Sequence, residues 1–210
     1  MATYIIIAII AYAIGSINFS VIISRKMAGF DLREKGSGNA GTTNVLRTVG
    51  KKAALITLVC DILKGVVAIF VAFVAGKIVK DIDTAMLAQI AGLLVVIGHA
   101  FPIFFEFKGG KGVACSAGII CSYAPLVALP TLLAFLIVVL ITKYVSLGSI
   151  IAVLTAFIFS MITPLLMNKP IDWILVIVCF IVFIIFTITH RQNIKRLIKG
   201  EESKISIKRK

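Results

Sequence analysis

The chain has 210 residues, of which 60% are hydrophobic and only 15% charged, and its mean hydropathy is +1.10. These proportions exclude an ordinary soluble domain and make a lipid bilayer the expected solvent. The net charge of +13 does not indicate a nucleic-acid binder, because Lys and Arg are confined to loops and a tail between long apolar runs and form no basic stripe with interleaved aromatics.

Residues 1–24 carry no charge and Arg25 and Lys26 follow at once, so the basic start of a cleavable signal peptide is missing. The segment is read as a spanning helix with its N-terminus outside. Crossing the hydrocarbon takes about 20 apolar helical residues, and segments of that kind fall at 4–24, 53–75, 84–105, 147–167 and 172–189. The uncharged stretch 113–142 is long for one helix and short for two, and it contains Pro125 and Pro130. If it crosses twice, with a turn near Pro125 to Pro130, 18 Lys and Arg lie inside and only 3 (Lys77, Lys80, Lys169) outside. A single crossing would place Lys143 and the basic tail outside, against the positive-inside tendency. The expectation is therefore an all-α integral membrane protein, a seven-transmembrane-helix bundle with the N-terminus outside and the C-terminus cytoplasmic. Its membrane domain would run over 1–190 and a basic amphipathic cytoplasmic tail over 191–210. The fourth and fifth helices would have roughly 15 residues each, or ~22 Å, which calls for little tilt, borrowed flanking residues or thinned lipid.

Cys60, Cys115, Cys121 and Cys179 lie in apolar segments without CxxC spacing and read as small hydrophobes. With only His99 and His190 and no HExxH, no metal is implied, and no other cofactor either.

Three polar islands interrupt this apolar chain. The first, KGSGNAGTTNVLR at 35–47, formally contains GxGxxG at Gly36, Gly38 and Gly41, but a membrane hairpin offers neither the strand nor the βαβ unit that a dinucleotide site requires. Glycines let backbone N–H groups converge on an anion, Ser37, Asn39, Thr43 and Asn44 add polar side chains, and Arg47 adds a bidentate charged fork. That composition reads as a phosphate cradle rather than a simple Gly-rich turn. The second island, GHAFPIFFEFKGGKG at 98–112, sets Gly109 and Gly110 between Lys108 and Lys111, again suited to an anion. His99 within it reads as a helix residue satisfying a neighbouring backbone group. The third, THRQNIKRLIKGEE at 189–202, places His190 and Asn193 three apart, on one helical face at the membrane surface, beside a basic amphipathic stretch suited to anionic lipid. Asp61 and Lys64, spaced i,i+3 at membrane depth, read as a structural pair rather than a catalytic one.

Together these islands resemble the acyl-phosphate-dependent glycerol-3-phosphate acyltransferase family of the PlsY type, whose motifs look like GSGNxGATNxxR, GHxFPxFxxFKGGKGVA and RHxxNIxRLxxGxE. The resemblance runs in order over nearly the whole chain, and Gly15-Ser16-Ile17 and the run from Asp61 to Gly65 resemble two further family segments. Thr42, Asn18 and Thr189 stand where Ala, Pro and Arg are usual. The HxxxxD pair of other glycerol-3-phosphate acyltransferases is missing, since Phe104 follows five after His99 and Lys195 five after His190.

The resemblance implies transfer of a fatty acyl group from acyl phosphate to the 1-hydroxyl of glycerol 3-phosphate, the first committed step of bacterial phospholipid synthesis, at the cytoplasmic face of the cell membrane. Both substrates carry phosphate and one carries an acyl chain, which suits two anion-binding islands opening to lipid. On this reading Ser37, Asn39 and Thr43 with the Gly36, Gly38 and Gly41 amides take one phosphate, and Arg47, Lys108 and Lys111 take the other. Which phosphate occupies which island stays open. His190 and Asn193 orient the glycerol hydroxyl, with His190 as base the alternative, while Asp61, Lys64, His99 and Glu202 support the site. Membrane lipid is an expected partner and no obligate protein partner is evident. A transporter of organic phosphates would show polar or broken helices at the midplane, whereas here the motifs crowd one face.

Overall fold

In the computed structural model, which describes residues 1–205, every regular element among the described residues is helical. The chain divides into two compact units, 1–123 and the part from Ala124 onward.

The first unit opens with α1 (Ala2–Ser16) and α2 (Phe19–Ala28), followed by α3 (Thr42–Thr48), α4 (Lys51–Ile78), α5 (Thr84–Ala100) and α6 (Val113–Tyr123). Single 3₁₀ turns sit at Leu32–Glu34 and Ile103–Phe105. The continuous helix expected over 4–24 is broken: Ile17 is extended (φ −70°, ψ 108°), and the Asn18 side chain accepts the Val21 N–H at 3.3 Å to start α2. A break frees backbone carbonyls that lipid cannot satisfy. Lys64 of α4 satisfies them here, its Nζ donating to Gly15 O at 3.0 Å and Ile17 O at 2.9 Å. The helix expected to reach 105 likewise stops at Ala100, because Pro102 lacks an N–H and disfavours α backbone before it. α1 and α5 touch backbone to backbone, with Gly15 against Val95 and Gly98 against Tyr12 and Ser16, the small-residue contact that lets membrane helices approach closely.

The loop from α2 to α3 is fixed by Asp31, whose carboxylate accepts from Arg25 at 2.7 Å and from Arg33 at 2.9 Å. Arg33 also donates to Phe105 O at 2.9 Å, joining this loop to the turn after α5. The Arg33 guanidinium, outweighing the cost of burial, holds the Asp31 carboxyl well below the usual carboxylate range. A depressed folded-state pKa adds stability that is present above the unfolded value of about 4 and is lost as pH falls through that value toward the folded one. The thermal midpoint of detergent-solubilised protein should therefore drop more steeply below about pH 4 in wild type than in Asp31→Asn; parallel profiles would remove this contribution.

The second unit contains α7 (Pro125–Thr142), α8 (Val145–Leu166), α9 (Trp173–Thr189) and α10 (Arg191–Ile198), with α8 packed against α7, α9 and α10. The chain bends by 63° between α9 and α10. α10 is amphipathic, with Ile194, Leu197 and Ile198 against Lys195 and Arg196.

The stretch 113–142 does form two helices, but they are unequal. Pro125 takes the first position of α7, where its missing N–H costs nothing, and Pro130 lies within the helix rather than in a turn. The break thus falls at Ala124, leaving α6 with 11 residues and α7 with 18. At ~1.5 Å per residue α6 is only ~16 Å long, short of the ~30 Å hydrocarbon core. Among the described residues five helical segments are long and apolar enough to cross a membrane, or six if the bent pair of α9 and α10 counts as one. Their exposed faces carry large apolar side chains such as Ile9, Leu55, Phe70, Leu129, Ile141 and Trp173, as a lipid-facing surface requires.

Candidate active site

Asn44 organises the first island. It is 1% exposed, and its amide group donates to Leu32 O (3.3 Å), Lys35 O (2.9 Å) and Asn39 O (3.1 Å) while its Oδ1 accepts the Ser37 N–H (3.0 Å). Expected among the phosphate-binding side chains, Asn44 is instead the post around which the loop is wound. Gly36 allows the winding: its φ is +61°, and a Cβ there would collide with the Asn44 carboxamide. The amides of Gly38 and Gly41 close onto Lys35 O at 3.1 Å and Asn39 O at 3.0 Å. Ser37 and Gly38 are exposed, and Asn39 and Thr43 are half-buried. Arg47, exposed in the last turn of α3, lies four residues after Thr43 and shares its helical face.

The second island folds against the first. After Pro102 the chain turns through Glu106 and Phe107, both at φ 57°, a strained pair closed by the Phe107 N–H on Pro102 O at 2.9 Å and the Lys108 N–H on Phe105 O at 3.0 Å. It then returns along the end of α5, with the Gly109 N–H on Ala100 O at 3.2 Å and the Gly110 N–H on His99 O at 3.0 Å. These amides donate to the backbone at the end of α5, and the missing Cβ atoms allow the close contact. A Cβ on Gly110 would strike the His99 imidazole and the Ala40 carbonyl, and Ala40 belongs to the first island. Both islands thus share one face of the first unit. Lys108 is exposed and pairs with Glu106 at 3.2 Å, and Lys111 is half-buried.

Behind this face lies a buried ionic cluster. Lys64 Nζ is 3.1 Å from Asp61 Oδ1, and His99 Nδ1 is 3.7 Å from the same oxygen; the three residues are 5% exposed or less. Sequence reading paired Asp61 with Lys64 but missed that His99 joins them and that Lys64 caps the helix break. The signal available was the run from Asn18 to Ser20, a helix-capping sequence inside an apolar segment.

In the second unit His190 stands at the bend between α9 and α10 and is 1% exposed. Its Nδ1 is 2.9 Å from Phe186 O, and because a carbonyl only accepts, Nδ1 carries the proton. Asn193 donates to Glu202 at 2.6 Å, Arg196 donates to it at 2.7 Å and Ser146 at 2.8 Å. Burial alone would raise the Glu202 pKa, but the hydrogen bonds from Arg196, Asn193 and Ser146 together outweigh it and lower it. Glu202 thereby ties the segment after α10 to α10 itself and to the start of α8.

A family model described as glycerol-3-phosphate acyltransferase matches residues 5–200. The glycerol-3-phosphate acyltransferase of Clostridioides difficile is 44% identical over 207 residues, covering 99% of this chain and 98% of its own, and that of Chlorobaculum tepidum is 39% identical with both chains fully covered. The crystal structure of PlsY, an integral membrane glycerol 3-phosphate acyltransferase in its glycerol 3-phosphate form, aligns with a TM-score of 0.83 at 36% identity, covering 97% of this chain and 96% of that one. Its lysophosphatidic acid form aligns with a TM-score of 0.80 at 34% identity, covering 97% and 95%. With a family match over almost the full length, relatives covered nearly end to end and the same helical fold in a solved membrane enzyme, this chain belongs to the glycerol-3-phosphate acyltransferase family of integral membrane proteins.

Proposed function

We propose that this chain transfers a fatty acyl group from acyl phosphate to the 1-hydroxyl of glycerol 3-phosphate. The observation that supports this reading is the close contact of Gly110 with the Ala40 carbonyl, which brings the two islands together; on this reading Ser37, Asn39, Thr43, Arg47, Lys108 and Lys111 take the phosphates of the two substrates. The hydroxyl oxygen attacks the acyl carbonyl carbon, the bond from that carbon to the phosphate oxygen breaks, and phosphate leaves with the electron pair. The products are lysophosphatidic acid and inorganic phosphate. An acyl phosphate is already activated, so positioning and charge neutralisation supply the rate without an acyl-enzyme, metal or cofactor. Purified protein given acyl phosphate and labelled glycerol 3-phosphate should form labelled lysophosphatidate and release one phosphate per acyl group. Uptake of labelled glycerol 3-phosphate into proteoliposomes with no acylated product would instead support a transporter.

His190 and Asn193 are the proposed orienting partners of the glycerol hydroxyl, with a phosphate oxygen of the donor accepting the proton, and Glu202 holds the Asn193 amide. His190→Gln, which keeps a hydrogen bond but takes no proton at neutral pH, should retain turnover within about tenfold of wild type and exceed His190→Ala. Equal and complete loss in both variants would make His190 the base.

The site is proposed to face the cytoplasm of a bacterial cell membrane, in a seven-pass arrangement with the N-terminus outside, where the short α6 crosses in thinned lipid. A cysteine replacing Lys143 in a background free of native cysteines should resist an impermeant reagent applied to intact cells. Labelling from outside would overturn this topology.

A further inference from the structure

We propose that Lys64 is a positioning residue for glycerol 3-phosphate recognition, acting through the break between α1 and α2. The inference rests on the acyltransferase reading above. A helix interrupted within an apolar span exposes carbonyls that elsewhere take helix amides or bound cations. At this break the cation belongs to the chain: Lys64 Nζ lies 3.0 Å from Gly15 O and 2.9 Å from Ile17 O, and Asp61 at 3.1 Å is its counterion. A lysine that only neutralised Asp61 would need neither carbonyl.

The fixed break is bonded to the segment that leads into the second island. Tyr12 of α1 donates to Phe101 O at 2.8 Å, and the Ser16 hydroxyl accepts the Ile103 N–H at 3.4 Å. Gly98 packs on the Tyr12 and Ser16 backbone, and His99, next in the chain, packs on Gly110. The end of α1 therefore sets where the chain leaves α5 and where 108–111 returns beside Ala40. The hydrogen bonds of Lys64 go to the backbone of the break and its ion pair to Asp61; its effect is on the placing of Lys108 and Lys111. Loss of that placing should weaken substrate binding more than the chemical step.

The test compares full-length Lys64→Met, Asp61→Asn and the double variant, purified in detergent, by steady-state kinetics and thermal unfolding. Lys64→Met alone leaves a buried carboxylate without a counterion, and the double variant removes that penalty. The double variant should recover part of the lost thermal midpoint while its KM for glycerol 3-phosphate stays on the order of tenfold or more above wild type, with kcat reduced less, because small misplacements of binding groups are costly. A double variant with KM within about twofold of wild type would reduce the cluster to an ion pair and overturn the proposal. Asp61→Asn in turn leaves the Lys64 ammonium buried without its counterion, so it serves as the single-variant reference for the thermal midpoint. A wild-type protein that neither acylates nor binds labelled glycerol 3-phosphate would fail the functional reading itself, and this inference with it. An active wild type with unaffected variants fails this inference alone.

Discussion

Arg47→Lys is expected to lower kcat/KM by about two orders of magnitude, because one charge-assisted hydrogen bond contributes roughly 1.5–3 kcal/mol and each 1.4 kcal/mol is a factor of ten. The substitution keeps the charge and removes only the planar fork, so it isolates bidentate recognition from simple attraction of an anion. Arg47 is exposed in the last turn of α3, on the same face as Thr43, and Asn44 between them anchors the loop from below. The helix itself should survive, since Arg and Lys have similar helix propensity and the buried residues of α3, Asn44 and Val45, are untouched. The measurement is kcat/KM for each substrate alongside the thermal midpoint. Wild-type values for both substrates in a normally inserted variant would remove Arg47 from phosphate recognition.

Gly110→Ala is the second large effect expected. Its Cβ would occupy space held by the His99 imidazole on one side and the Ala40 carbonyl on the other, and the Ala40 side is backbone that cannot rotate away. Retreat in the opposite direction stretches the bond from the Gly110 N–H to His99 O, now 3.0 Å. Overpacking of this kind costs ~1–3 kcal/mol in stability, and a shift of about 1 Å in groups that bind substrate costs on the order of a hundredfold in rate. We expect a lower thermal midpoint together with a fall in kcat/KM of about a hundredfold, seen mainly as raised KM. Activity within about threefold of wild type would mean that the two islands do not depend on this contact.

Much of the fold was legible in the sequence because the bilayer imposes a length. Apolar runs of about 20 residues, bounded by Lys and Arg, identify candidate crossing helices whatever their packing, and α4, α8 and α9 fall where hydropathy puts them. The three polar islands stood out because so much Gly, Ser, Asn and Lys has no place in lipid, and their order carried the family. What only the tertiary structure decided is how buried polar groups are satisfied. The break at Ile17 is held by Lys64, 47 residues away, so no local pattern could place it. Asn44 looked like a phosphate ligand by composition, yet three carbonyls brought together by folding bury it inside the loop. Gly109 and Gly110 read as open backbone for an anion, but their amides are used by α5 and their missing side chains make room for His99 and Ala40. Pro125 and Pro130 marked a turn without fixing it, because a proline suits the first turn of a helix as well as a loop. Hydropathy and motif order are properties of the chain in sequence. The partners of buried polar atoms come from distant segments, and only the folded arrangement shows them.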